Sequence, residues 1–105
     1  MSEFTNVTVS TLANIYFDGQ VTSRKVTFAD GTFKTLGIMM PGEYTFGTAE
    51  KELMEIQQGK VSVKLPNSDT WQTINANESF EVPANASFDI KVFELADYCC
   101  TYITE

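Results

Sequence analysis

The chain has 105 residues, a net charge of −7 at pH 7 and 43% hydrophobic residues. This length predicts one domain over residues 1–105, and the hydrophobic fraction excludes a disordered chain. The negative charge argues against binding to nucleic acid or to anionic membranes through a broad basic surface. No apolar run approaches the ~20 residues of a membrane span, and we find no signal peptide. We therefore expect a cytoplasmic protein.

Alternating apolar and polar residues predict short strands along the chain, separated by Gly, Pro and Asn turns. Residues 1–13 are interpreted as a loosely ordered N-terminal arm, although residues 7–16 could instead form a first strand. The sequence pair Asp30–Gly31 indicates a hairpin, and Gln58–Gly59–Lys60 indicates another turn. The remaining predicted strands are 21–28, 33–40, 44–48, 51–58, 61–65, 71–74, 80–82, 88–92 and 98–103. Short strands at near-regular spacing predict a sandwich or a barrel.

Two stretches of the chain have the spacing of the metal-binding motifs of a cupin. In the first, which Gly42 opens and Gly59 closes, Phe46 and Thr48 stand where the cupin has a histidine pair, and Glu52 stands at the glutamate position. In the second, Asn77, Pro83 and Asn85 stand at the turn positions and Phe88 replaces the third histidine. The resemblance implies an all-β, single-domain cupin with a jelly-roll-like β-barrel.

The chain contains no histidine, so the usual imidazole ligands of a cupin metal are missing. We therefore expect no metal and no other cofactor. A metal held by Glu50, Glu52 and water remains an alternative that elemental analysis would decide.

The sequence also resembles one family, the small pyrimidine/purine nucleoside phosphorylases, from about residue 14 to residue 102. The matching strings are YFDG at 16–19, TLGIMMPGEYTFGT at 35–48, DTWQ at 69–72 and FEVPAN at 80–85. This resemblance implies a pentosyltransferase of nucleoside salvage that converts a purine or pyrimidine nucleoside and phosphate to free base and pentose 1-phosphate. The rival hypothesis is a non-enzymatic cupin that binds a small sugar or nucleoside as a sensor.

Phosphorolysis needs no side-chain nucleophile, because phosphate itself attacks the glycosidic carbon. The site has to hold phosphate in line and to stabilise the departing base. Lys34 is the first candidate for binding phosphate and Arg24 the second, although each could equally be a solvated surface cation.

Glu52 is the carboxylate most clearly placed by the motif. In a cupin this side chain points into the interior, and a buried carboxylate without a metal has to be paired or has a raised pKa. It could bind ribose hydroxyls or protonate the leaving base, or it could be an exposed carboxylate at the end of a strand.

Aromatic side chains at alternating positions could form a pocket that stacks on a base, although in a small barrel they are commonly plain core. We expect Tyr44 and Phe88 to line it. Phe46, Thr48 and Tyr98 are further candidate substrate-binding residues.

Three other positions carry expectations. Cys99 and Cys100 are sequence neighbours, so they should be two reduced thiols, one of them buried, in a reducing compartment. Trp71 stands at a hairpin end, where an exposed indole is unusual, and we expect it in a homodimer interface or at the pocket rim.

Overall fold

The computed structural model describes residues 3–104, which form nine strands and one short 3₁₀ turn at Phe17–Gly19. The prediction of an all-β chain is therefore confirmed. No helix among these residues is long and apolar enough to cross a membrane. The strands are β1 (Thr8–Val9), β2 (Asn14–Tyr16), β3 (Val21–Thr27), β4 (Phe33–Met39), β5 (Gly42–Gly47), β6 (Lys51–Lys64), β7 (Gln72–Asn75), β8 (Glu78–Val82) and β9 (Ser87–Ile103).

All nine strands belong to one antiparallel sheet, with β9 at its centre. The main strand order is β1-β3-β4-β9-β6-β7. In addition, β2 pairs with β3, β5 pairs with β9 and β8 pairs with β6. Strand β6 accompanies β9 along one side, while the other side pairs first with β5 and then with β4. These pairings leave β1, β2, β5, β7 and β8 each with one unpaired edge, so they do not confirm the predicted closure into a barrel.

Strands β6 and β9 are each continuous where the sequence predicted an interruption. The predicted turn at Gln58–Gly59–Lys60 is wrong, because the chain does not reverse there and pairing with β9 continues through register shifts between Ile56 and Val61. The region 88–103 is likewise one strand rather than two. Bulges of this kind bend a strand without ending it. Because β6 and β9 both bend, the sheet folds around one core.

The core follows the alternation of the strands. The alternation of the strands predicts burial of Val61, Val63, Phe80, Val82, Phe88 and Ile90, and all six are buried, while Phe46 is partly buried against them. Met39 is 1% exposed and Met40 is 38% exposed, which confirms that these neighbours occupy opposite faces. Inward-facing residues have even numbers from 52 to 56 in β6 and odd numbers at 61 and 63, because the bulge changes the phase of the alternation.

Residues 3–13 of the predicted N-terminal arm lie along the edge of β3. Strand β1 pairs with Val26 and Thr27, and the Phe4 ring packs edge-on against Phe28 with centroids 5.1 Å apart. Residues 1, 2 and 105 of the predicted domain lie outside the described part of the chain.

Candidate functional site

A cavity of about 170 Å³ lies between the two parts of the bent sheet. Its lining comes from six of the nine strands: β2, β3, β4, β5, β6 and β9. The lining residues are Tyr16, Ser23, Thr35, Met39, Phe46, Gly47, Glu52, Met54, Phe88, Ile90, Tyr98, Cys100 and Tyr102.

One wall of the cavity carries most of its polar groups. Strand register places Thr35 beside Cys100 and Glu52 beside Tyr102, so that four polar side chains from β4, β6 and β9 share one face. The Cys100 thiol donates to Glu52 Oε1 at 3.6 Å, and the hydroxyls of Thr35 and Tyr102 are 3.3 Å apart in a hydrogen bond. The wall therefore offers a carboxyl group held within a small hydrogen-bonded cluster.

Another wall of the cavity is aromatic. Phe46 in β5 and Phe88 in β9 are cross-strand partners, and their rings stack with centroids 5.7 Å apart and planes at 29°. Phe80 packs edge-on against Phe88 from behind, at 5.8 Å. A cavity with one aromatic wall and one polar wall suits a ligand with one flat apolar face and one hydroxyl-bearing part.

The pKa of Glu52 is raised above its ordinary value. Partial burial is the main cause, the negative charge of Glu50 adds to it, and the hydrogen bond from Cys100 opposes it. A carboxyl group in this state can give up a proton or accept one nearer to neutral pH than an exposed glutamate can. That property is useful where a bond to a leaving group has to break.

This pKa shift predicts a pH-dependent stability difference between the protein and its Glu52→Gln variant. The native state holds the Glu52 proton more tightly than the unfolded chain, so the protein loses stability as pH rises from the ordinary value of about 4.5 through the raised native value. Glutamine stays neutral throughout. As the pH rises from 4 to 8, the urea midpoint of the wild-type protein should therefore fall relative to that of the Glu52→Gln variant. The raised pKa of Glu52 would be contradicted if the variant's midpoint minus the wild-type midpoint were the same at both pH values, or larger at pH 4.

Both cysteines are free and both are buried, so the expectation that only one would be buried is wrong. Cys100 faces the cavity, and Cys99 faces the opposite side of the sheet, where it lines a groove together with Phe4 and Glu78. Burial raises the pKa of both thiols, and that of Cys100 reaches about 12 with Glu52 as the second cause. Neither thiol is set up as a nucleophile, since the thiolate is the reactive form.

The folded protein should accordingly resist alkylation. At pH 8 a thiol with a pKa of about 12 is ionised in about one molecule in ten thousand. Iodoacetamide should label the native protein slowly and label both cysteines readily in urea, as followed by mass spectrometry. Rapid labelling of the folded chain at Cys100 would show that the cavity wall is more open than its burial indicates.

Four of the predicted site residues are brought together at the cavity: Glu52, Phe46, Phe88 and Tyr98. The cupin spacing singled out Glu52 and Phe88, and both side chains line the cavity. Tyr98 adds a buried ring whose hydroxyl donates to the Thr22 carbonyl oxygen at 3.2 Å.

Tyr44 and Thr48 do not line the cavity, which differs from the expectation. The Tyr44 hydroxyl donates to the Met40 carbonyl oxygen at 2.7 Å, and the ring is buried in the core. The Thr48 hydroxyl donates to the Pro83 carbonyl oxygen at 2.7 Å. Each side chain satisfies a neighbouring backbone group, which explains a polar residue at these buried positions without a ligand.

Lys34 and Arg24 lie on the outer face of the sheet, so the structure does not bring them together with Glu52. Lys34 alternates with the cavity-lining Thr35, and its ammonium group lies 5.5 Å from the centroid of the Phe4 ring. The Arg24 Nε donates to the Thr11 carbonyl oxygen at 3.4 Å. The correction has a simple reason: successive residues of a strand point to opposite faces.

Sequence reasoning assigned no role to several lining residues, of which Tyr16, Ser23, Thr35 and Cys100 are polar. A signal was present for Tyr16, because it opens the family string YFDG. Within residues 3–104, His, Cys, Asp and Glu side chains form no group of three or more that could hold a metal ion.

Comparison with known sequences gives consistent matches. The profile of the family described as pyrimidine/purine nucleoside phosphorylase matches residues 11–102. A protein of that name from Syntrophotalea carbinolica is 61% identical over 98% of this chain and 99% of its own length. Another of the same name from Sulfurimonas denitrificans is 63% identical over the same shares of the two chains.

Solved structures share the architecture. A protein of unknown function from Acinetobacter superposes with a TM-score of 0.93 at 41% identity, covering 96% of this chain and 98% of the other. A cupin superfamily protein from Desulfitobacterium hafniense superposes with a TM-score of 0.64 at 18% identity over 81% of this chain and 79% of the other. The second likeness bears on the fold, which is cupin-like.

Proposed function

The chain belongs to the pyrimidine/purine nucleoside phosphorylase family, and from that premise we propose that it converts purine and pyrimidine nucleosides and phosphate to free base and pentose 1-phosphate. The observation that carries the proposal is the family match together with a cavity lined by both a stacked aromatic pair and a carboxyl group. The two walls suit the flat base and the hydroxyl-bearing pentose of a nucleoside.

The reaction breaks the bond between the pentose anomeric carbon and the base nitrogen. A phosphate oxygen forms the new bond to that carbon, the electron pair leaves with the base, and the base nitrogen takes up a proton. The transition state carries positive charge on the pentose ring. We assign Glu52 to the pentose, because the pentose is the part that all nucleosides share and the family name covers both classes of base. An ionised Glu52 would stabilise that positive charge, and a protonated one would supply the proton.

Phe46 and Phe88 account for broad base tolerance. Every base has a π-face, so stacking on an aromatic ring discriminates weakly between purines and pyrimidines. Hydrogen bonds to base edges would discriminate strongly. An aromatic wall therefore suits an enzyme that accepts both classes.

Phosphate would be held without a lysine or arginine of the cavity, since within residues 3–104 neither residue type is among the lining side chains. The neutral donors there are hydroxyl groups, among them Ser23, Thr35 and Tyr102. Backbone N–H groups near Gly47 are a further source, because Gly47 lines the cavity. A protonated Glu52 would also favour an anion beside it, whereas an ionised one would repel it.

The deciding experiment is the phosphate dependence of base release. Purified protein incubated with uridine or inosine should release uracil or hypoxanthine only when phosphate is added, and pentose 1-phosphate should appear in equal amount. Sulfate serves as the control anion. Tight nucleoside binding without any phosphate-dependent release would favour the sensor hypothesis. Elemental analysis of the active protein decides whether a metal held by Glu50 and Glu52 takes part.

We also propose that the protein is a homodimer and that it works in a reducing compartment such as the cytoplasm. We further propose that the cupin-like sheet closes into a barrel. Exposed apolar side chains and open strand edges support a second copy as partner. Two free buried thiols fit reducing conditions. Trp71 is 38% exposed under the Lys91 ammonium group, which suits an interface. Sedimentation velocity should give twice the mass of one chain, and a monomer at all concentrations would contradict the dimer.

A further inference from the structure

Tyr16 marks the mouth of the cavity. It and Gly47 are the exposed members of the lining, and Tyr16 is 45% exposed while Tyr98 is 6% exposed. Tyr16 pairs with the core residue Val21, so its ring faces the interior side of the sheet. The hydroxyls of Tyr98 and Tyr102 are engaged within the fold, whereas no side-chain hydrogen bond among residues 3–104 uses the hydroxyl of Tyr16.

The turn that follows Tyr16 is strained. Phe17, Asp18 and Gly19 have φ values of 51°, 55° and 92°, and a bulky aromatic residue rarely adopts a positive φ. Such strain persists where surrounding contacts hold it and is concentrated at functional sites. Here the Phe17 ring packs against Tyr44 at 5.0 Å and Phe46 at 5.5 Å. These contacts hold Tyr16 at the mouth, next to the aromatic wall.

The cavity is too small to enclose a whole nucleoside. Its volume of about 170 Å³ lies below the ~300 Å³ at which pockets for complete small ligands begin. One end of the substrate therefore stays at the mouth. Tyr16 precedes Phe17, whose ring packs on the Phe46 ring at 5.5 Å, so Tyr16 lies next to the aromatic wall, whereas Glu52 belongs to the polar wall with Cys100. A pentose bound at Glu52 leaves the base at Tyr16.

We propose that Tyr16 contacts the base of the bound nucleoside at the cavity mouth and that the Phe17–Gly19 turn positions Tyr16 for this contact. The inference rests on the proposed phosphorylase function and adds the orientation of the substrate. A base held at the mouth by ring contact, with its edges toward solvent, meets few hydrogen-bonding constraints. The orientation thus gives a second physical reason for broad base tolerance.

The synthetic direction tests this directly, because base and pentose 1-phosphate are then separate substrates. Tyr16→Ala should raise the KM for the base by about tenfold, the loss expected for one aromatic stacking partner. The KM for pentose 1-phosphate should stay within about twofold, since only the base loses a contact. Tyr16→Phe keeps the ring and should keep both values within about twofold. A purely structural role for Tyr16 would not separate the two substrates.

Two glycines give a matched test of the turn that leaves every side chain of the cavity in place. Gly19 and Gly31 have φ values of +92° and +90°, and a Cβ on either would meet no atom within 4 Å. Alanine therefore strains both turns alike. Gly19→Ala should raise the KM for the base and Gly31→Ala, in the distant β3–β4 hairpin, should not. If Tyr16→Ala fails to fold, the comparison of Gly19→Ala with Gly31→Ala still tests the inference through the KM for the base.

If the wild-type protein is an active phosphorylase, two results for Tyr16→Ala would overturn the inference. One is an equal rise in the KM for the base and the KM for pentose 1-phosphate, and the other is an unchanged KM for the base. Equal base KM values in Gly19→Ala and Gly31→Ala would overturn the positioning role of the turn. A wild-type protein without phosphorolytic activity would overturn the proposed function and this inference together.

Discussion

Glu52→Gln is expected to lower turnover by about 10²–10⁴-fold, the contribution typical of a positioned acid or base. Glutamine keeps the shape of the side chain and can still accept the hydrogen bond from Cys100. It removes the negative charge and the exchangeable proton, which act more strongly in the transition state than in the bound substrate. Steady-state kinetics should therefore show a loss in kcat with a smaller change in the KM for the nucleoside.

Glu55→Gln is the matched control for this change. Glu55 lies in the same strand three residues further on, opposite Cys99, and its side chain borders the outer groove rather than the cavity. The control should retain turnover within about twofold, because no group on the reaction path is altered. A folded Glu52→Gln protein with normal turnover would remove Glu52 from the mechanism and leave binding geometry to account for catalysis.

Gly59→Ala is expected to destabilise the fold by about 2–5 kcal/mol, the sum of left-handed backbone strain and overpacking. Gly59 has a φ of +100° at the bend of β6, and a Cβ there would collide with the Leu95 carbonyl oxygen. The collision is with backbone, so no side chain can move to relieve it. Since about 1 kcal/mol shifts Tm by roughly 4–8 °C in a domain of this size, thermal unfolding should show a fall of about 8 °C or more.

Gly31→Ala again provides the control for Gly59→Ala. It has a similar φ of +90° but open space around the added methyl group, so it should cost only the backbone strain of about 1 kcal/mol. The difference between the two variants isolates the contact with β9. Equal Tm values would mean that the bend tolerates a Cβ and that the close packing of β6 on β9 is not required there.

Much of the local structure follows from the sequence because strand alternation is a local property. The buried positions Val61, Val63, Phe88 and Ile90 stand at alternate places in half-buried strands, and the structure buries all of them. Asp30–Gly31 lies in the short loop between β3 and β4, so the hairpin that turn chemistry predicts is present. The cupin spacing also singled out Glu52 and Phe88, and both line the cavity.

Only the tertiary structure decided the rest, because alternation gives the phase of a strand but not the face that meets the core. Lys34 and Thr35 are neighbours, and only packing shows that Thr35 faces the cavity while Lys34 faces outward. The bulge at Gly59 reverses the phase of β6 without ending the strand, so the sequence reads as a turn. Tyr16 reaches the cavity through pairing of β2 with β3 and a left-handed turn, and neither feature leaves a periodic signal in the sequence.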